Sequence, residues 1–370
     1  MRTNRAVKAI AYILFLALTV AGLAEAVLRT GRFAPRFESL ANTRMTLDRE
    51  VLYRVVPLSN PEINSSGYRD TEFGPKQAGI KRILFLGDSF VSGIGGMITS
   101  NNTMPQYLES MLAPEGYEVF NMGIYGYGPD QSLMQLRAEG LGYSPDAVVL
   151  AVFPDNDWGD IVKNRLVRLD ARGVARYNPS NIVAEAMTRS RLVYLIKYAL
   201  YKHEQRITRR VAVDLNADFF DGLFAALFQD GFDTTLMDGP GSEAAGQRRS
   251  LMRGILRGFQ EELEPRGVPF VVLIIPSHHS LTNHTFFEQR GTPPEKYFVN
   301  TDEVAAICAD LGIHHINLHE VVKDAELKMP LYLSGQFDDN HLSPYGNWIS
   351  ALVIHNYMIR AGLVPEARTP

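Results

Sequence analysis

The stretch LFLGDSFVSGIG, Leu84 to Gly95, sets an apolar run directly against Gly87, Asp88 and Ser89 and then against more glycine. Its first half reads as the end of a buried strand and its second as a turn into a helix. Ser89 therefore falls just past a strand's C-terminal end, where open α/β folds place their ligands. Taken alone the stretch has a plainer use, because Asp88 and Ser89 are both residues that cap a following helix. The rest of the chain decides between the two.

Outward from this point, short apolar runs alternate with helical patterns. RILFLG at 82–87, YEVFN at 117–121, DAVVLAVF at 146–153, VPFVVLII at 268–275 and IHHINL at 313–318 are continuous rather than alternating, as strands covered on both faces are. MPQYLESML, PDQSLMQLRAEGL and the closing NWISALVIHNYMIRAG carry apolar residues at helical spacing. Five strands with crossing helices predict an α/β fold, a doubly wound three-layer sandwich around a five-stranded parallel sheet. A long interruption at about 160–245 contains IVAEAMTRSRLVYLIKYALYKHEQRITRR and FFDGLFAALFQ, and it predicts a helical insertion of the kind that caps a cleft.

Arg2, Arg5 and Lys8 precede a run of about twenty apolar residues from Ala9 to Leu28, enough to cross a bilayer with the basic flank left in the cytoplasm. Residues 1–29 are thus expected to be a transmembrane anchor. The competing reading is a signal peptide, since Ala24-Glu25-Ala26 has the small-x-small form of a cleavage site. In the first case the body is membrane-anchored and faces the periplasm or cell exterior; in the second it is secreted. Residues 30–80 read as a membrane-proximal lead-in arm with a turn at Gly67, residues 81–363 as the main domain, and residues 364–370 as a tail. The single cysteine, Cys308, excludes an internal disulfide framework.

The net charge of −4 hides an asymmetry: residues 1–36 carry six basic groups and one acid, leaving 31 basic against 40 acidic groups beyond them. An acidic body argues against nucleic acid as a partner.

Four further features bear on Ser89. In FDDNHLSPYGN, Asp338 stands three residues before His341, a spacing at which a carboxylate can hold imidazole Nδ1–H and leave Nε2 to take a serine proton; Asp339 is spaced less suitably. NMGIYGYGPDQ brings three glycines, Gly123, Gly126 and Gly128, after the second strand. FPDNDWGD sets Asn156 on a tight loop after the third. Ser89 N–H, a glycine N–H and the Asn156 amide make a plausible oxyanion hole. All these pieces sit at C-terminal strand ends.

Gly87-Asp88-Ser89-Phe90, NMGIYG, DND and DDNH, in this order, resemble the four signature blocks of the SGNH, or GDSL, hydrolase superfamily. The resemblance covers about half the chain, residues 80–160 and 265–360. It implies a flavodoxin-like sandwich and the chemistry of esterases, lipases, thioesterases, carbohydrate deacetylases or acyltransferases. It further implies Ser89 as nucleophile, His341 as base, Asp338 as the residue orienting it, and Ser89, Gly126 and Asn156 as oxyanion donors. One departure stands out: where the family has Gly before Asn-Asp, this chain has Pro154 and Asp155, which puts an added carboxylate near the hole. The glycines do not form a dinucleotide fingerprint, and His278, His279, His314, His315 and His319 lack the spacing of a metal site, so neither cofactor nor metal is expected. Tyr125, Tyr127, Phe153 and Trp158 are expected to pack the core or wall the cleft.

The expected function is ester hydrolysis on a small acyl ester or an acylated carbohydrate. The alternatives are O-acyl transfer to an exported polysaccharide and a non-catalytic carbohydrate-binding or scaffold role.

Overall fold

The computed structural model describes residues 2–30, 37–38, 44–48, 50–93, 97–178, 190–193, 196, 232–333 and 341–364. The central sheet contains β4 (Lys81–Leu86), β5 (Tyr117–Asn121), β6 (Ala147–Val152), β9 (Phe270–Ile274) and β10 (His314–Asn317), in the order β10-β9-β6-β4-β5. Every neighbouring pair is parallel. The five strands foreseen from the apolar runs are these five. From β4 the chain goes to β5 on one side and then crosses to β6 on the other, so the C-terminal end of β4 is the sheet's switch point.

Alternate residues of each strand feed opposite cores. Leu84, Leu86, Leu150, Val152, Val272 and Ile274 face one layer, and Ile83, Phe85, Val149, Ala151, Val271 and Leu273 the other, all of them buried. The first layer is covered by α4 (Pro129–Ala138), α5 (Pro154–Asn164), α7 (Glu243–Leu263) and α10 (Val299–Leu311), and the second by α3 (Met104–Leu112) and α12 (Pro344–Arg360). Burial on both faces is why the strands lack polar alternation.

The segment between the N-terminal helix and the central sheet is built into the same body. Strands β1 (Phe37–Glu38), β2 (Arg44–Asp48) and β3 (Leu52–Val55) form an antiparallel sheet. Val51, Leu52, Val55, Ile63 and Tyr68 are buried in the first core layer. The sequence assigned this segment only a turn at Gly67; that glycine has φ 87, and a Cβ there would stand 2.7 Å from Val55 O.

The apolar helices expected at 182–210 and 219–229 lie almost wholly outside the described residues. What is described of the 160–245 interruption includes the end of α5, a hairpin of β7 (Val167–Leu169) and β8 (Ala175–Tyr177), and the short α6 (Thr235–Asp238). Helix α1 (Arg2–Arg29) contains a 23-residue span, Val7–Arg29, of mean hydropathy 2.1, most of it exposed, with Leu28 buried near its end. At 1.5 Å per residue the span is about 35 Å long, enough for a bilayer core. Near its end the Glu25 carboxylate accepts from Ser190 Oγ (2.9 Å), Arg191 N (3.0 Å) and Leu192 N (2.8 Å).

Candidate active site

Gly87 leaves β4 with φ 151, and a Cβ there would meet Val91 Cγ2 at 2.7 Å and Ala151 O at 3.1 Å. The chain can therefore turn at once into the one-turn α2 (Ser89–Ser92). Asp88 is its N-cap, its Oδ1 accepting from Phe90 N at 2.9 Å. The two readings of the opening stretch thus coexist: Asp88 caps, and Ser89, as the first helical residue, keeps its hydroxyl and N–H for other use. Ser89 N–H donates to no acceptor among the described residues.

Ser89 Oγ lies 2.7 Å from His341 Nε2, across 252 residues of chain. His341 is held from two sides. Leu333 N donates to His341 O at 2.9 Å beside a Tyr332–Leu342 bridge, and the imidazole packs tilted against the Phe90 ring at 5.0 Å. Ser343 then caps α12 by accepting from Gly346 N at 3.0 Å. Asp338, assigned by the resemblance as the orienting carboxylate, lies outside the described residues, as does Asp339.

The three glycines after β5 serve different ends. Gly123 is pressed against α2: a Cβ there would sit 2.4 Å from Ser92 N and 2.6 Å from Val91 Cβ. Gly128 is crowded by Asp130 Oδ1 and Asp160. Only Gly126, at φ 72 in a turn closed by Tyr127 N–H to Ile124 O (3.1 Å), has an N–H with no acceptor among the described residues. Asn156 lies half-exposed in the first turn of α5, its Oδ1 buried without a hydrogen-bond partner.

Asp155, expected from its place before Asn156 to add a carboxylate near the candidate oxyanion donors, instead buries it. Its Oδ1 accepts from Asn300 Nδ2 at 2.9 Å, with Ser277 and Ser280 also hydrogen-bonded to it. The first turn of a helix fans successive side chains around its axis, so a residue adjacent to Asn156 points elsewhere. Asp155 O also accepts from Asp233 N at 2.6 Å, and Asp233 forms a buried ion pair with Arg248 at 2.8 Å. The chain returning from the insertion is thus bonded to the Asn156 loop.

Beneath the site is a group of buried acids. Burial pushes Asp88 up to about 6 and Asp130 up to about 7. Asp157 stands well above the ordinary carboxylate range, first through burial and then through the charges of Asp88 and Asp160. Asp157 Oδ2 accepts from Phe153 N at 2.7 Å, fixing the entry to α5. Burial thus disfavours the charged form of these groups.

Two residues of the arm escaped the sequence reading. Arg69 donates to Ile98 O (2.6 Å) and to Gly93 O, tying both residues to the arm. Asp70 Oδ2 accepts from Asn121 N at 2.8 Å and Oδ1 from Gln106 Nε2 at 2.6 Å. Asn121 in turn donates from Nδ2 to Val91 O at 3.0 Å. The only local signal was the Asn64-x-x-Gly67 turn that delivers the pair.

Tyr127 and Trp158 are core residues, Trp158 donating from Nε1 to Asn300 O at 3.2 Å, while Phe153 packs on Phe90 at 4.5 Å. Tyr125 is half-buried. The remaining histidines pack on different aromatic rings: His278 lies tilted against Tyr332, while His279 stacks on Phe286 and His319 on Phe298. Among the described residues no three His, Cys, Asp or Glu side chains gather as a metal site would require.

Fold and site together define a class: a doubly wound α/β protein with a histidine-paired serine at the switch point of its sheet. The chain is similar in structure to a lipase/acylhydrolase from Enterococcus faecalis, at 12% identity over 78% of this chain and 100% of that one, with a TM-score of 0.42. It is also similar to a GDSL-like lipase from Bacteroides thetaiotaomicron (12% identity, 78% and 92% covered, TM-score 0.38). A third is the acetyl xylan esterase AlAXEase (14% identity, 76% and 98% covered, TM-score 0.39). No family model and no curated protein matches the sequence.

Proposed function

We propose that this protein is a serine ester hydrolase of the SGNH type, held outside the cytoplasm by α1. The observation that carries the reading is the 2.7 Å contact between Ser89 Oγ and His341 Nε2 at the switch point. A serine hydroxyl is a weak nucleophile until a base takes its proton, and this geometry supplies the base.

Ser89 Oγ attacks the carbonyl carbon of an ester while its proton passes to His341 Nε2. The carbonyl oxygen becomes an oxyanion, met by Ser89 N–H, Gly126 N–H and the Asn156 amide. Collapse of this tetrahedral species breaks the bond to the alcohol, which leaves with the proton from His341. Water then repeats the sequence on the acyl-serine, releasing the acid and restoring Ser89. Asp338, three residues before His341, is the proposed partner that keeps Nδ1 protonated. No step needs a metal or organic cofactor. The proposed substrates are small acyl esters or acylated carbohydrates.

The test is labelling of the full-length protein in detergent with a fluorophosphonate probe. Wild type is labelled and Ser89→Ala is not; a folded wild-type protein that takes no label and turns over no p-nitrophenyl acetate refutes the proposal.

A further inference from the structure

Strand β3 reaches the turn that carries Gly126. Tyr53 Oη donates to Tyr125 O at 2.8 Å, and Tyr125 C=O belongs to the same peptide unit as Gly126 N–H. In a trans peptide these two groups point in opposite directions, so holding one aims the other.

The turn type makes this matter. Ile124 O accepts from Tyr127 N–H, Gly126 has φ 72, and Tyr125 is not among the residues of positive φ. This is a type II turn, with glycine at its third position. Types I and II share their ends and differ by a flip of the central peptide, here Tyr125–Gly126. The turn thus has two states in which Gly126 N–H points in opposite directions, and a hydroxyl bonded to Tyr125 O favours one of them.

Tyr53 is itself held for the task. Its ring meets the Tyr127 ring edge-on at 5.2 Å, and Tyr127 Oη donates to Tyr53 O. Val51 O accepts from Gln131 Nε2 at 2.8 Å, holding the start of the strand, whereas Arg54, on the strand face opposite Tyr53, pairs separately with Asp48 (2.6 Å) and Glu139 (2.7 Å). A Cβ on Gly126 would lie 2.8 Å from Tyr53 Oη, so the hydroxyl fills the space a side chain there would need.

We propose that Tyr53 is a positioning residue for the oxyanion hole: its hydroxyl locks the Tyr125–Gly126 peptide in the state that presents Gly126 N–H to the reacting carbonyl. The same bond polarises the amide and strengthens its N–H as a donor. The segment following the membrane helix thereby completes the active site. The inference rests on the esterase reading above.

The experiment compares Tyr53→Phe with Arg54→Met in the full-length protein, measuring p-nitrophenyl acetate turnover, the rate of fluorophosphonate labelling and the melting temperature. Tyr53→Phe lowers kcat and the labelling rate about tenfold, the scale of one net hydrogen bond. That loss stays below the 10²–10³ or so of a donor removed outright, and KM stays within about twofold. Arg54→Met loses ion pairs of the same strand, so it lowers the melting temperature but leaves kcat unchanged. Wild-type kcat in Tyr53→Phe, or an equal loss of kcat in Arg54→Met, overturns the inference.

Should Tyr53→Phe fold poorly, 3-fluorotyrosine at position 53 keeps the ring and makes the hydroxyl more acidic. The labelling rate then falls at high pH as the phenol ionises and stops donating; a pH profile identical to wild type overturns the inference. Inertness of wild type, or full labelling of Ser89→Ala, is a failure of the esterase reading itself. Loss of labelling in Ser89→Ala beside a normal Tyr53→Phe is a failure of this inference alone.

Discussion

Gly123→Ala should separate two halves of the site without touching a reacting group. The added Cβ would lie 2.4 Å from Ser92 N, 2.6 Å from Val91 Cβ and 2.8 Å from Val91 C, all on α2, the helix that begins at Ser89. Ordinary contacts begin near 3.4 Å, so α2 and the turn bearing Gly126 must part by roughly 1 Å, a shift of the size that costs catalytic geometry about a hundredfold. Overpacking of this kind also costs about 1–3 kcal/mol of stability. Urea unfolding with p-nitrophenyl acetate turnover reads both effects: kcat falls about 10²-fold while most of the protein stays folded. A folded variant retaining kcat within about threefold would refute the claim that this contact sets the distance between Ser89 and Gly126.

Two further tests concern the body. Leu150→Ala empties a fully buried site at the centre of β6 and should cost about 2–5 kcal/mol, read as a lower urea midpoint at unchanged slope; a loss under about 1 kcal/mol would show that the layer is not packed as described. Asp130, raised to about 7 by burial, binds its proton more tightly folded than unfolded, so its contribution to stability is full below the ordinary carboxylate range and is lost as pH rises towards 7. Asp130→Asn should remove this component, on the order of a few kcal/mol at most, making the variant relatively more stable at pH 8 than at pH 4; parallel stability–pH curves for the two proteins would refute it.

The sheet was legible because strands buried on both faces are written as unbroken apolar runs. VPFVVLII and DAVVLAVF foretold β9 and β6 to within about two residues at each end. Ser89 and His341 were legible through the order of four short blocks, and the structure brings them together. What sequence reading missed depends on contacts far along the chain. Nothing local in LYRV tells that Tyr53 reaches Tyr125, 72 residues away, or in GYRD that Asp70 meets Asn121, 51 away. The direction of Asp155 was misread because adjacency to Asn156 in sequence does not survive the turn of a helix. The hairpin β7–β8 has strands of three residues, too short for a period to emerge.

The Glu25 contact bears on what cleavage at the end of α1 would do. Ala24-Glu25-Ala26 is a small-x-small triplet at the end of the apolar run, and its middle residue is the one whose carboxylate gathers three donors at Ser190, Arg191 and Leu192. A cut after Ala26 would carry that carboxylate away with the leader. Shedding the body and unfastening the insertion would then be a single event, and a shed form would differ from the anchored one in architecture as well as in address.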